Sequence, residues 1–205
     1  MNATSRDFES LARAFREALV TAGIVSEADV EARIEDLRAR TPALGARVVA
    51  RAWRDPQYRA RLLADGSGAV RELLGLDIGT LKLVVVENTP AVHNVIVCTL
   101  CSCYPRMLLG MPPDFYKSVA YRARIVREPR AVLAEFGLQL ADGVLVRVHD
   151  STADMRYLVL PMPPPGTERL DESALAELVS RDAMIGVAVS RVADGAGSEP
   201  HPAER

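Results

Sequence analysis

Cysteine is nearly absent from this chain of 205 residues, and all three cysteines lie between residues 98 and 103. Side chains confined to six residues cannot join distant parts of a fold, which excludes a disulfide framework. The sequence therefore predicts a single local site built from three thiols.

Long apolar runs and an excess of either charge are also missing. No apolar segment approaches the roughly 18 residues of a membrane span, and residues 1–10 do not resemble a signal peptide. The net charge is −2, so there is no electrostatic case for binding nucleic acid or an anionic membrane. A cytoplasmic location follows as the expectation. Thiols stay reduced there, so clustered cysteines favour a metal or redox site.

Helical patterns dominate the first third of the chain. Apolar residues recur at helical spacing between residues 8 and 74, and Gly23 marks the first interruption. Ser26 and Asp29 form a capping-box pattern that predicts the start of a second helix, and Thr41-Pro42 predicts the start of a third. We expect a helical N-terminal arm over residues 1–80.

Strand patterns begin after residue 80 and alternate with shorter helical ones. The β-branched runs that predict strands cover residues 83–86, 93–97, 144–148 and 156–160. The fold class is therefore α+β, with an α/β layered metal-binding domain at 81–190. Residues 191–205 are polar and rich in glycine and proline, and we expect a disordered tail there.

The segment from Cys98 to Cys103, called the claw below, offers soft ligands for zinc, copper(I), iron or cobalt. A structural zinc ion needs four ligands, and the fourth would have to come from His93 or from another chain. A second geometry uses two thiolates and two deprotonated amides of Cys101, Ser102 and Cys103 in one plane. Cys98 is then axial and a sixth position stays open, which requires trivalent cobalt or iron. The residues alone leave three alternatives open: a zinc site, this planar geometry, or three buried cysteines that bind nothing.

Residues 97–105, Val-Cys-Thr-Leu-Cys-Ser-Cys-Tyr-Pro, resemble the metal-binding segment of the nitrile hydratase alpha subunit. The similarity extends over roughly residues 20–190. The further matching segments are 84–90, 92–94, 110–113, 116–118, 121–122, 126–130, 133–137, 156–161, 166–168, 181–182 and 184–186. The resemblance therefore implies the fold of that alpha chain.

The resemblance also implies the cofactor and its ligands. The family binds one non-corrin cobalt(III) or a non-haem iron(III), and Thr99 at the second claw position favours cobalt over iron. Cys98, Cys101 and Cys103 supply sulfur, while Ser102 and Cys103 supply amide nitrogen. Cys101 is expected as a sulfinic acid and Cys103 as a sulfenic acid, because metal-held thiolates are oxidised where oxygen reaches them.

The implied activity is the hydration of a nitrile to an amide by a complex of several chains. A beta subunit, as one or two other chains, would complete the site, and an activator protein would insert the metal. Two nucleophiles remain open: the oxygen on Cys103, or a hydroxide on the ion. Ser102 is a candidate for positioning water and Tyr104 for donating a hydrogen bond near the metal, unless they serve only as a small residue and a packing residue.

Residues outside the claw complete the expected site. Arg147, Asp150 and Arg156 lie in the strand–loop–strand segment that the family places beside the claw, and we expect them to support its ligands. The family usually has tryptophan after Tyr-Pro, whereas this chain has Arg106 and Met107. This change by the substrate pocket indicates a bulky, polar nitrile such as the nucleoside nitrile toyocamycin, whose hydratase belongs to this family.

Two other interpretations compete with a nitrile hydratase. One is the related gamma subunit of thiocyanate hydrolase, although Tyr104-Pro105 after the claw favours nitrile hydratase. The other is a non-catalytic protein, either a zinc-stabilised interaction module or a carrier that delivers the metal to a partner.

Overall fold

The computed structural model describes residues 3–76 and 78–192, and packing divides the chain into two compact units, 1–39 and 40–205. Most of the tail predicted at 191–205 lies outside the described residues. No helix in the described part is both long and apolar enough to cross a bilayer.

The first unit contains helices α1 (Ala3–Thr21) and α2 (Glu27–Ala39). The predicted capping box is present. The amide of Asp29 donates to Ser26 Oγ at 3.1 Å, and the amide of Ser26 donates to Asp29 Oδ2 at 3.1 Å. Helix α2 buries none of its residues. Large apolar side chains on α1 are also exposed, namely Phe8, Leu11 and Phe15.

The second unit contains the remaining helices and all the strands of the described residues. In chain order they are α3 (Pro42–Arg54), α4 (Pro56–Ala64), α5 (Gly66–Leu74), β1 (Lys82–Glu87), β2 (Val92–Val97), α6 (Arg106–Leu109), α7 (Asp114–Lys117), α8 (Val119–Arg124), α9 (Pro129–Glu135), β3 (Leu145–Asp150), β4 (Met155–Leu160), α10 (Glu172–Glu177) and α11 (Arg181–Ile185). All four predicted strands are present. The mixture of helices and strands confirms the α+β class.

The strands form two parallel pairs, β1 with β4 and β2 with β3. Strands β3 and β4 are neighbours in sequence but do not pair with each other. A parallel pair requires a crossover, and helices α6–α9 provide it between β2 and β3. The register sets Val97 opposite Asp150, so the end of β3 lies beside the start of the claw.

Within the second unit, α4 and α5 contact β1, and α3 contacts α6 and α10. Val48 and Val49 on α3 are fully buried in the core. Trp53 Nε1 donates to the Pro161 carbonyl at 2.7 Å, and Arg51 pairs with Glu172 at 3.1 Å. The compact units divide at 39/40, and the boundary at residue 80 between the helical arm and the metal-binding domain stays a prediction. Helical periodicity identifies a buried face but not the element that covers it.

Gly186 allows the end of α11 to approach β2 closely. Its φ of +93° lies in the left-handed region, and a Cβ atom there would lie 2.1 Å from the Asn94 carbonyl oxygen. Only glycine fits both conditions. This contact holds α11 against the strand that leads into the claw.

Candidate metal centre

The claw begins where the most deeply buried strand ends. Val95, Ile96 and Val97 are completely buried, and Cys98 follows directly, with 1% of its surface exposed. The chain then turns outward, so Cys101 is exposed and Cys103 is half-buried. The hydrophobic core therefore fixes the position of the Cys98 sulfur, while the sulfurs of Cys101 and Cys103 lie nearer the surface.

The three sulfurs converge as predicted. Cys98 Sγ lies 3.4 Å from Cys101 Sγ, and Cys101 Sγ lies 3.3 Å from Cys103 Sγ. All three sulfurs lie within 4.8 Å of one another, which is the arrangement needed to hold one ion. These distances alone do not distinguish a zinc site from a cobalt site.

The two amides expected as ligands lie close to the central sulfur. Hydrogen bonds from Cys103 and Cys98, with further contributions from the amides of Ser102 and Cys103, lower the pKa of Cys101 to about 7. Burial and the neighbouring Cys101 thiol raise the pKa of Cys103 to about 12. A bound cation requires all three thiolates, so metal binding must release protons from this cluster. The donors present, three sulfurs with two adjacent amides, fit a trivalent ion.

His93 is not available as a fourth zinc ligand. It is buried on β2, and its Nε2 lies 2.7 Å from the Gly186 carbonyl, to which it must donate. Its Nδ1 lies 3.3 Å from Asn88 Nδ2 and therefore accepts. Burial lowers the pKa of His93, which keeps the ring neutral. Within the described residues, a zinc site of three cysteines and His93 is excluded.

Asp150 holds the second residue of the claw. Its Oδ1 accepts from the Thr99 amide at 2.9 Å, and its Oδ2 accepts from Thr99 Oγ1 at 2.6 Å. Both bonds follow from the register that brings the end of β3 beside the claw. Asp150 therefore contacts the claw directly, through Thr99, which is not expected to be a ligand. Its support of the metal ligands stays a prediction.

The two arginines expected beside the claw occupy different positions. The positive charge of Arg156 favours the thiolate of Cys103, and its guanidinium also donates to the Ala153 and Met155 carbonyls at 3.1 and 3.2 Å. Arg147 is exposed and faces Asn94 in the ladder, three residues before the strand end. With a rise of about 3.3 Å per residue along a strand, the backbone of Arg147 lies roughly 10 Å from the end of β3.

The residues that follow the claw divide between surface and core. Tyr104 is 2% exposed, its ring packs edge-on against Tyr116 at 5.0 Å, and its buried hydroxyl has no hydrogen-bond partner among the described residues. The hydrogen bond expected from Tyr104 near the metal stays a prediction. Met107 is partly buried against the core, whereas Arg106 is exposed and donates to Met111 Sδ at 2.8 Å. Of the two residues expected near substrate, Arg106 is the one at the surface.

Three residues that sequence reasoning did not select also hold the claw. Tyr116 donates to the Cys103 carbonyl, Tyr121 to the Ile96 carbonyl and Arg122 to the Thr99 carbonyl. Their signals in the sequence are the aromatic pattern after the claw and the resemblance of segments 116–118 and 121–122 to the family. That pattern equally describes ordinary core packing, which hides the role of the hydroxyl groups.

Comparisons with known proteins agree with this geometry. The sequence profile of the family "Nitrile hydratase, alpha chain" matches residues 6–188. The alpha subunit of the low-molecular weight cobalt-containing nitrile hydratase of Rhodococcus rhodochrous is 55% identical over 148 residues, 72% of each chain. The gamma subunit of thiocyanate hydrolase from Thiobacillus thioparus is 42% identical over 196 residues, which is 90% of this chain and 81% of that subunit.

Solved structures show the same fold. A double mutant of the Fe-type nitrile hydratase from Comamonas testosteroni Ni1 superposes with a TM-score of 0.85 at 41% identity, covering 98% of this chain and 97% of that chain. The cysteine cluster and the cobalt-containing relatives together show that the chain holds a metal cofactor. The chain therefore belongs to the nitrile hydratase alpha-chain family, whose enzymes hydrate nitriles to amides.

Proposed function

We propose that this chain is the metal-binding alpha subunit of a cobalt-dependent nitrile hydratase, with cobalt(III) as the resident ion. The observation that supports this proposal is that the sulfurs of Cys98, Cys101 and Cys103 all lie within 4.8 Å of one another. The adjacent amides of Ser102 and Cys103 supply the remaining ligands. When bound, such an ion provides Lewis acidity that makes a nitrile carbon more electrophilic.

The chain's own residues prepare this site for the reaction. Asp150 holds Thr99, and Arg156 places a positive charge near Cys103. Oxidation at Cys101 and Cys103 fits their exposure, because oxygen reaches these sulfurs but not the buried Cys98. Water adds to the nitrile carbon in one of two ways. Either a water molecule attacks the carbon directly, or the oxygen on Cys103 attacks first and water then cleaves the new S–O–C link at sulfur, which restores the sulfenic acid. In both cases the imidic acid that is released tautomerises to the amide.

Elemental analysis combined with intact mass tests the metal and the cysteine oxidation in one sample. We expect one cobalt per chain and about three added oxygens, two on Cys101 and one on Cys103. Stoichiometric zinc with no added oxygen would instead support the non-catalytic interaction module or carrier. Reduced thiols before metal loading also fit a cytoplasmic location.

A beta subunit, provided by one or two other chains, is proposed to cover the claw. Leu100 within the claw is 87% exposed, and Met111 beside Arg106 is 61% exposed. Apolar side chains at this exposure next to a reactive site are typical of a surface that a partner covers. An activator protein is proposed for metal insertion, because low-spin cobalt(III) exchanges its ligands slowly.

Arg106 affects which substrate the site would accept, and it supports thiocyanate hydrolase as a second candidate function. An exposed cation three residues after Cys103 favours a bulky polar nitrile such as toyocamycin, and it also favours an anion such as thiocyanate. Steady-state rates with acrylonitrile, toyocamycin and thiocyanate separate these possibilities. A clear preference for acrylonitrile would refute the bulky nitrile, and carbonyl sulfide released from thiocyanate would favour the hydrolase.

A further inference from the structure

Three side chains from one short segment donate hydrogen bonds to backbone carbonyls, one two residues before the claw and two within it. The Tyr121 hydroxyl lies 2.8 Å from the Ile96 oxygen, and the Tyr116 hydroxyl lies 2.9 Å from the Cys103 oxygen. The Arg122 guanidinium lies 3.3 Å from the Thr99 oxygen. All three donors belong to the consecutive helices α7 and α8, so this segment contacts the claw backbone at two points and the strand that leads into the claw at a third.

The two tyrosine donors are themselves firmly held. Tyr116 is completely buried and Tyr121 is 5% exposed. The Tyr116 ring lies 5.9 Å from Tyr121 and 5.0 Å from Tyr104, and Tyr121 also packs edge-on against Phe115 at 5.2 Å.

We propose that Tyr116, Tyr121 and Arg122 are positioning residues that hold the claw in its metal-binding conformation before the ion arrives. A loop that is free in solution must lose conformational entropy when it wraps an ion. Three carbonyls already fixed by packed donors remove part of that cost, which raises affinity by preorganisation. The proposal rests on the assignment of the claw as the cobalt site.

Phenylalanine variants test this role, since Tyr116→Phe and Tyr121→Phe each remove one hydroxyl and leave the ring. Tyr58→Phe is the matched control. Tyr58 is also buried and donates to a carbonyl, that of Ala69 at 3.2 Å, but it contacts α5 and not the claw. Arg122→Met removes the third donor, and Arg122→Lys restores a positively charged donor.

The first measurement is an anaerobic titration of the reduced, metal-free full chain with Co²⁺ against a competing chelator. We expect Tyr116→Phe, Tyr121→Phe and Arg122→Met to weaken Co²⁺ binding by about 10- to 100-fold, the range typical of residues that orient metal ligands. Tyr58→Phe should bind like the wild type, and Arg122→Lys should recover part of the loss. Equal binding by Tyr116→Phe, Tyr121→Phe and Tyr58→Phe would overturn the proposal.

The second measurement, amide hydrogen exchange of residues 98–104 in the metal-free chain, does not depend on cobalt. Exchange should accelerate in this segment for Tyr116→Phe and Tyr121→Phe and stay unchanged for Tyr58→Phe. Failure of the wild type to bind Co²⁺ would contradict the proposed function alone. Unchanged exchange in both claw-side variants would contradict the positioning role whether or not cobalt binds.

Discussion

Removing the Asp150 carboxylate should weaken cobalt binding through Thr99, which is not a ligand. Asp150 accepts two hydrogen bonds from Thr99, at 2.9 Å from the amide and at 2.6 Å from Oγ1. Each bond to an exposed carboxylate is worth about 1 kcal/mol, or about fivefold in an equilibrium constant. Asp150→Ala loses both bonds and should reduce Co²⁺ affinity by about 30-fold, whereas Thr99→Val loses one and should cost about fivefold.

The double variant decides whether the two residues act together. Once Asp150 is alanine, the Thr99 hydroxyl has no acceptor, so adding Thr99→Val should cost nothing further. The assay is anaerobic Co²⁺ titration of the reduced, metal-free chain against a chelator.

Asp55→Ala is the matched control for this cycle. Asp55 also accepts two hydrogen bonds, from the amides of Gln57 and Tyr58 at 2.9 Å, but it caps α4 and does not contact the claw. Its loss should lower stability without changing cobalt affinity. Losses that multiply in the double variant, to about 150-fold, would refute the coupling between Asp150 and Thr99.

Three further predictions concern stability and substrate choice. Gly186→Ala should lower the free energy of unfolding by about 3 kcal/mol or more in urea titrations, because a Cβ there would overlap the Asn94 carbonyl; an unchanged midpoint would contradict the close approach. Burial lowers the pKa of His93 and His149, so the unfolded chain binds more protons than the folded chain at low pH. The free energy of unfolding should therefore fall as the pH drops below about 6.5, and it should fall less for His93→Gln. Urea titrations at two pH values measure this loss of stability. Equal midpoints would contradict the burial of the two imidazoles. Arg106→Trp should raise kcat/KM for acrylonitrile relative to thiocyanate, and an unchanged ratio would place substrate choice elsewhere.

The claw and its immediate chemistry were predictable because they are local. Six consecutive residues contain every cysteine, and backbone geometry alone keeps three sulfurs so close in sequence within reach of one ion. The strands and the Ser26 cap were predictable for the same reason, since each depends on neighbours along the chain. Asp150 was also anticipated, through the resemblance to a known alpha chain.

The partners of the claw at long range were not predictable from the residues. The phenylalanine or tyrosine pattern in α7 and α8 indicates burial, but whether a hydroxyl meets a carbonyl depends on how the crossover packs on β2. His93 is a zinc ligand candidate by composition, and only its two buried hydrogen bonds remove it.

The clustering of three cysteines, the strand and helix patterns and the motifs of the family are readable in the sequence, since spacing and pattern are local properties. Which side chains hold the claw depends on the tertiary fold. Parallel pairing of β2 with β3 brings Asp150 to Thr99, and the crossover brings Tyr116 and Tyr121 to the claw backbone. These contacts join residues far apart in the chain, and their existence depends on packing.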